Sequence, residues 1–316
     1  IRIFPLVLQD WTPDLITVQT PWEEGFLGYC LSRILRSKFL PQVHFDLFSK
    51  DWISEHWLNG WRGWVGKQLI RRADGVRVVS EVLKEKVVKY LNLSNKQVFV
   101  VPVGVNFKPI NSLSESQKDH YKSKLNPQII GKPVVLFVGR FVNAKNLPLW
   151  INVASHVEEY IPDAQFVFAG DGILLSEIRN LVADKKLTEQ FHFLGKVGYE
   201  CLPEVYAAAD VFLLTSNNEG YGRVIVESFL SGVPVVSTAC TGPEDLIVEG
   251  ESGFLLELGD LVGLSDAVIK LLQDKQKAQS MGVAGRDRMN NMFSNTVLAK
   301  RLIDCWITVN TFAEEV

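Results

Sequence analysis

Short apolar runs separated by amphipathic stretches recur through the second half of the chain. Pro133–Val138 is an unbroken apolar run, the pattern of a strand buried on both faces. The stretch Asn146–Glu159 then places Leu149, Trp150, Val153 and Val157 at helical spacing. The alternation continues with predicted strands at Gln165–Ala169, Phe191–Leu194, Asp210–Leu214 and Pro234–Ser237. Between them fall predicted helices at Leu174–Ala183, Pro203–Ala208 and Arg223–Ser231, the second with proline in its first turn. Strands alternating with helices of this length predict βαβ units on a parallel sheet. Its crossovers should be right-handed and its ligands should bind at the carboxyl ends of the strands.

The first half is less regular. Leu15–Val18, Phe39–His44, Val76–Val79 and Val98–Val101 read as strands. Gly25–Arg36, a long stretch ending at Arg72, and Glu81–Leu91 read as helices. This is α/β too, but Ile1–Leu8 reads as the middle of an element, and a complete doubly wound domain needs more strands before Ile1. An absent amino-terminal segment is therefore expected. The boundary between domains is placed in Pro102–Pro109, dividing the chain into 1–107 and 108–294, with polar Ser112–Lys124 as the first helix of the second domain.

Composition adds limits. The chain has 316 residues, 47% hydrophobic and 22% charged, enough for two ordinary domains and against disorder or a disulfide-stapled miniature fold. A net charge of −3 gives no reason to expect nucleic-acid binding. That total hides an asymmetry: residues 1–107 carry 14 Lys/Arg against 10 Asp/Glu, whereas residues 108–316 carry 19 against 26. Cys30, Cys201, Cys240 and Cys305 form no C-x-x-C pair, so zinc ribbons are excluded and buried thiols in a reducing cytosol are expected. The five histidines, His44, His56, His120, His156 and His192, are too dispersed for a metal cage. No apolar run approaches the roughly 20 residues of a membrane span, and no secretory signal is visible. There is no G-x-G-x-x-G, Walker G-K-[ST], H-E-x-x-H or G-x-S-x-G, and no Asp is followed two residues later by another Asp. The last point removes the usual D-x-D anchor for a metal that holds a sugar diphosphate.

The stretch Ser216–Glu227 is the most informative. It follows a predicted strand, where an α/β ligand crevice should lie. Glu219 sits in the loop, and Gly220 and Gly222 let the backbone approach a ligand. The helix starting near Gly222–Arg223 presents free N–H groups to an anion, and Glu227 lies about one turn inside it. A carboxylate there suits ribose-type hydroxyls. At another predicted strand end, Gly139 and Arg140 are followed by Lys145, which opens the next helix; two fixed cations suit a diphosphate.

These residues carry a resemblance that runs from about Pro13 to Ser294. In order it includes Val43-His44, Ala73-Asp-Gly75, Val79-Ser80, Val101-Pro-Val-Gly-Val105, Val138-Gly-Arg140 with Lys145, Ala169-Gly-Asp-Gly172 and Phe193-Leu-Gly195. It continues with Ala207-Ala-Ala-Asp210, Glu219-Gly-Tyr-Gly222 through Glu227 in E-x₇-E spacing, Gly232-Val-Pro-Val-Val236 and Gly253-Phe254. The chain resembles family 4 glycosyltransferases of the GT-B fold, which implies two Rossmann-like domains facing across a cleft, the first of them incomplete here.

The resemblance implies a retaining hexosyltransferase that moves sugar from a nucleotide-diphosphate sugar (UDP- or GDP-hexose) to an acceptor hydroxyl. It implies no bound metal and no cofactor beyond that co-substrate. Arg140 and Lys145, beside Gly139, would neutralise the donor diphosphate. Glu219 would contact the transferred sugar, amides around Gly220, Tyr221 and Gly222 would hold sugar or phosphate, and Glu227 would grip the ribose. Phe193, Leu194, Gly195 and Val197 would flank the nucleobase through main-chain groups, and His44 would face the reacting sugar from the first domain. Tyr221 stands where phenylalanine is more common. The family's glycine-rich loop near the amino terminus has no match here. The last helix, about Asn295–Phe312, would cross back to the first domain. The acceptor would be a glycan, a lipid or a small molecule. Competing readings are a nucleotide-sugar epimerase or hydrolase on the same fold, and an inactive nucleotide-sugar-binding fragment. A glycosidase using Glu219 and Glu227 leaves the cations unexplained.

The stretch Lys50–Arg72 is unusual. Trp57, Trp61 and Trp64 recur at helical spacing, with Arg62, Lys67, Arg71 and Arg72 among them. The favoured expectation is a helix packing its aromatics inside the first domain. The alternative is a membrane-surface or lipid-acceptor face on a cytoplasmic protein, peripheral at the membrane through residues 50–72. Gly60, Gly63 and Gly66 make a regular helix less secure.

Overall fold

The computed structural model describes residues 12–110 and 113–311. The expectations for Ile1–Leu8, for Ser112 as a helix start and for Phe312 as the end of the last helix lie outside these residues. The chain divides into two compact units, one of 1–103 with 295–316 and one of 104–294. The division falls within the Pro102–Pro109 stretch, and helix Asn295–Thr311 groups with the first unit.

The first unit holds four parallel strands in the order β1 (Leu15–Val18), β2 (Lys38–Val43), β3 (Val76–Val78) and β4 (Val98–Val100). Phe39, Leu40 and Val43 of β2 are fully buried, as are Ile70, Val78 and Leu83 around them. Polar side chains lace the strands together: Arg77 Nη1 donates to Gln42 Oε1 at 2.8 Å, and Gln42 Nε2 donates to Thr17 Oγ1 at 3.0 Å. Cys305 and Val309 of the terminal helix pack on Leu40 and Val101.

The 50–72 stretch is not one helix. It forms Lys50–Glu55, capped by the Ser49 hydroxyl, and Asn59–Ile70. Trp57 lies between them. Trp57, Trp61 and Trp64 do not pack inside the unit; all three are exposed. The physical reason is that Asn59–Ile70 buries its glycine face. Gly63 lies against the Trp52 ring and Gly66 against Pro21, which leaves the tryptophans on the outside.

The second unit is a six-stranded parallel sheet in the order β10-β9-β8-β5-β6-β7. Its strands are β5 (Val134–Val138), β6 (Gln165–Ala169), β7 (Phe191–Gly195), β8 (Val211–Leu214), β9 (Val235–Thr238) and β10 (Gly253–Leu256). Every residue of β5, β6 and β8 is buried, as expected of parallel strands covered on both faces. The chain builds outward from β5 through β6 to β7, then returns to the other side of β5 for β8. The strand order therefore reverses between β5 and β8, the switch point where open α/β sheets bind ligands.

The β5–β8 ladder is short. It pairs Val135 with Val211 and Leu136 with Phe212. Beyond it, the Leu213 carbonyl is met not by β5 but by the buried indole of Trp150, whose Nε1 donates to it at 2.9 Å. Trp150 belongs to helix Leu147–Tyr160, and its ring also meets Phe168 edge-on at 4.6 Å. At the opposite edge, Asp210 accepts from the Val134 amide at 2.8 Å and from Lys118 and Lys122 at 2.6 and 3.0 Å. Burial disfavours the Asp210 carboxylate, but the two lysines with that amide outweigh it and hold its pKa below the usual value.

Candidate active site at the carboxyl edge of the second sheet

The loops that follow β5 and β8 meet at the switch point. The loop after β5 runs through Gly139 and Arg140 into a 3₁₀ turn, Asn143–Lys145. Lys145 therefore closes this turn rather than opening the helix, which begins at Leu147 after Asn146 adopts a left-handed conformation with φ of 44°. Asparagine tolerates that region better than most residues. Thr215, just past β8, fixes this turn: its hydroxyl lies 3.0 Å from the carbonyls of both Lys145 and Asn146. The Asn217 amide donates to the Ala144 carbonyl at 2.9 Å, and Asn146 Nδ2 donates to Asn217 Oδ1 at 3.0 Å. Four hydrogen bonds thus join two loops far apart in sequence.

This joining brings Lys145 and Glu219 together. The Lys145 ammonium is ion-paired with Glu219 Oε2, and both side chains are largely buried. Glu219 Oε1 accepts from the Gly222 amide at 3.3 Å. Gly222 itself has φ of +85°, a left-handed conformation that glycine adopts without strain, and caps helix Arg223–Leu230. The Glu219 carbonyl accepts from the Gly242 amide at 2.7 Å. A Cβ at Gly242 would lie 2.6 Å from the Tyr221 backbone, so the loop after β8 rests directly on the turn after β9. Cys240 sits behind the same loop; burial, reinforced by the Glu219 charge, pushes its thiol up to about 12. Tyr221 is buried, with its ring edge-on to Phe293. Gly220 is half-buried in the loop.

Arg140 is exposed at the end of β5; its carbonyl accepts from the Val142 amide at 3.1 Å, and among the described residues its guanidinium makes no hydrogen bond or ion pair. Glu227 forms a second centre. It is buried one turn inside its helix, and Tyr206 donates to its Oε2 at 3.2 Å. Arg223 Nη2 stands 3.7 Å from its Oε1, and the Tyr199 hydroxyl lies near enough to act on its charge. Burial raises the Glu227 pKa, against the opposing effects of Arg223 and the two tyrosine hydroxyls. The Tyr206 hydroxyl is pushed well above its ordinary value by burial and by the Glu227 charge.

At the third strand end, Phe193 turns its ring to the aromatic cluster of Phe141, Phe168 and Phe191, with Arg179 over it at 4.5 Å. Its side chain is committed to this aromatic packing. Leu194, Gly195 and Val197 are half-buried there, and the Gly195 carbonyl accepts from the Gly170 amide at 2.8 Å. His44 belongs to the first unit, one residue past β2. Its Nε2 lies 3.2 Å from Gln19 Oε1, and burial with the Arg77 charge lowers its pKa.

Sequence reasoning missed Tyr199, Tyr206 and Arg223 around Glu227. Tyr206 sits in an apolar helical run and reads as core, and only the fold reveals where its hydroxyl goes. It also missed Gly242 and Cys240, although Gly242-Pro243 is a turn signal. The assembled edge offers two cations, one paired and one exposed, a helix amino terminus and two carboxylates. That set can hold a diphosphate beside a polyhydroxylated group.

Residues 121–288, more than half of the chain, match the family model of glycosyl transferases group 1, and residues 1–108 match that of glycosyltransferase family 4. The 2-deoxystreptamine N-acetyl-D-glucosaminyltransferase of Niallia circulans is 31% identical over 183 residues, 58% of this chain and 47% of that protein. The capsular polysaccharide biosynthesis glycosyltransferase CapM of Staphylococcus aureus is 26% identical over 258 residues, 77% of this chain and 63% of its own. The chain thus spans about half to two thirds of the length of these curated relatives. Among solved structures, Anabaena Alr3699/HepE in complex with UDP and glucose superposes with a TM-score of 0.80 at 21% identity, covering 93% of this chain and 77% of that one. Sucrose-phosphate synthase of Thermosynechococcus elongatus gives 0.81 at 24%, covering 99% and 77%. With two parallel sheets flanked by helices and this family match, the chain belongs to the glycosyl transferases of group 1 and has the GT-B fold.

Proposed function

We propose that the chain transfers a hexose from a nucleotide-diphosphate sugar to an acceptor hydroxyl, with retention at the anomeric carbon and without a bound metal. The observation that carries this reading is the meeting of Lys145 and Glu219 at the sheet's switch point, beside exposed Arg140. Arg140 and Lys145 bind the donor diphosphate. They also stabilise the charge that grows on the leaving phosphate as the glycosidic bond breaks. Glu219 holds the transferred sugar through its hydroxyls, the helix amino terminus at Gly222 holds phosphate or sugar oxygen, and Glu227 accepts from the ribose hydroxyls. Phe193–Val197 flank the nucleobase through the main chain.

The acceptor oxygen attacks from the face the diphosphate leaves. Its proton passes to the departing phosphate oxygen, so no protein base is obligatory. On the first unit, His44, whose pKa burial and the Arg77 charge lower, is a neutral hydrogen-bonding group available to a sugar. Metal independence is the reading the two cations favour, since they can balance the diphosphate charge themselves. The named activities of the relatives, N-acetylglucosaminyl transfer among them, support a hexose. The acceptor is a glycan, a lipid or a small molecule.

Calorimetric titration with UDP, GDP and ADP, alone and as sugar conjugates, tests the donor site. Binding of one nucleotide family is expected, and binding of none defeats the proposal. Turnover that persists in EDTA, with a product whose anomeric NMR signal keeps the donor's configuration, is expected next. A covalent sugar trapped on Glu219 would overturn the same-face mechanism.

A further inference from the structure

The helix Asn59–Ile70 is built inside out. Its buried positions are Asn59, Gly63, Gly66, Leu69 and Ile70. A Cβ on Gly63 would lie 3.4 Å from the Trp52 ring, and one on Gly66 would lie 3.3 Å from Pro21. The small residues therefore let this helix lie close on its neighbours. The tryptophans face out: Trp61 is 53% exposed and Trp64 63%, and Trp57, just before the helix, is 85% exposed. Tryptophan is among the most buried residues on average, so three exposed at helical spacing need a reason. The unit can take up a tryptophan from this stretch, because Trp52 stacks on the touching pair Trp22 and Phe45 at 5.5 and 5.1 Å.

Within the tryptophan-bearing stretch itself the charge has one sign. From Trp57 to Arg72 the chain holds Arg62, Lys67, Arg71 and Arg72 and no Asp or Glu. Arg62 is bound to Glu23 of a neighbouring helix at 2.8 Å, and Lys67 lies over the Phe48 ring at 5.0 Å. Arg71 and Arg72 are exposed at the helix end. Tryptophans with basic residues at their edge match the interface of an anionic bilayer, where the indole sits among headgroups and the cations meet phosphate. A second copy of the same face would set cation against cation. No helix among the described residues is long and apolar enough to cross a membrane.

We propose that Trp57, Trp61 and Trp64, with Arg71 and Arg72, form a docking surface for an anionic phospholipid bilayer. The contact is peripheral and needs no nucleotide, so its test is separate from that of the donor site. The full chain is sedimented with vesicles of phosphatidylcholine alone and of phosphatidylcholine with phosphatidylglycerol. Binding should rise by about tenfold or more with the anionic lipid and fall with added salt. Tryptophan emission should shift to the blue on the same vesicles. Trp61→Ser/Trp64→Ser should lose the shift and most of the binding with an unchanged urea midpoint, since both side chains are exposed. Arg71→Gln/Arg72→Gln should lose the anionic preference and keep a weak residual binding. Binding that ignores phosphatidylglycerol, or survives both pairs of substitutions, overturns the proposal. So does a concentration-dependent dimer, seen by sedimentation velocity without vesicle binding and abolished by the tryptophan substitutions.

Discussion

The Lys145 ammonium and the Glu219 carboxylate, carried by the loops after two adjacent strands, form one ion pair across the switch point of the second sheet. In the proposed donor site the lysine is thus already oriented, with its charge partly balanced. Removing it leaves Glu219 facing an anionic donor. Lys145→Ala should therefore weaken UDP or GDP binding by about 1.5–3 kcal/mol, as for a hydrogen bond to a charged group. Glu219→Gln should affect kcat more than nucleotide affinity. A double-mutant cycle by calorimetry should give a coupling energy clearly different from zero; strict additivity would show that the pair plays no part in binding.

Arg140 is the complementary case. It is exposed, so Arg140→Ala should leave the unfolding free energy, measured in urea, within about 0.5 kcal/mol of the parent. Nucleoside diphosphate affinity should nevertheless drop by about 1.5–3 kcal/mol, with much less effect on the nucleoside. Equal losses for both ligands would remove Arg140 from the phosphate site.

Glu227 links pH to both binding and stability. Burial raises its pKa above the ordinary 4.5, so the folded state holds the proton more tightly than the unfolded chain does. Its ionisation then costs stability as pH rises from 4.5 through the raised value, and the cost persists above it. Glu227→Gln should be as stable as the parent or more so at neutral pH, with the gap closing below 4.5. Donor affinity should show the opposite trend: the parent binds less tightly as pH falls through the raised pKa, and the variant binds weakly throughout. A flat titration of donor affinity in the parent would rule out the carboxylate as ribose ligand.

Asp210 lies at the far edge of the sheet and should matter to folding alone. Its lowered pKa means that its stabilising contribution is present above the ordinary 3.8 and is lost as pH falls through the folded value. Asp210→Asn leaves the buried Lys122 short of its carboxylate and should cost about 3 kcal/mol at neutral pH. The deficit should shrink in acid, and the KM for donor should hold in the folded fraction. A loss smaller than about 1 kcal/mol would mean that water replaces the carboxylate freely.

Gly242→Ala should be among the most damaging of small changes. Its added methyl would meet the Tyr221 backbone at 2.6 Å, and one of the two loops must move. We expect about 1–3 kcal/mol of lost stability and more than tenfold loss of turnover, because the displaced segment carries Glu219.

Much of this was legible in the sequence. The apolar runs at 134–138, 165–169 and 211–214 could only be strands covered on both sides, and their alternation with helical spacing gave the sheet. The loop glycines around Glu219 marked the loop after β8, where the structure brings Lys145 and Glu219 together. Other features depended on geometry. Beyond Ser237, β10 and helices Leu261–Gln273 and Lys275–Phe293 were not read from periodicity. Tyr206 and Gly242 act through contacts between segments tens of residues apart, which no local pattern encodes. The tryptophans of Asn59–Ile70 misled because aromatic spacing indicates which residues share a face but not which face is buried. That choice was made by Gly63 and Gly66.

The hydrogen bond from Trp150 to the Leu213 carbonyl has a consequence for binding energetics. Where β5 and β8 stop pairing, a buried carbonyl would ordinarily draw the strands together or trap water. The indole satisfies it from the side, while Asp210 clasps the same two strands at their other end. The pair behaves like a hinge-less wedge, closed at one edge and propped at the other. A ligand bound in this crevice, as the proposed donor would be, would not have to pry the strands apart, and little of its intrinsic affinity would be spent on reorganising the protein.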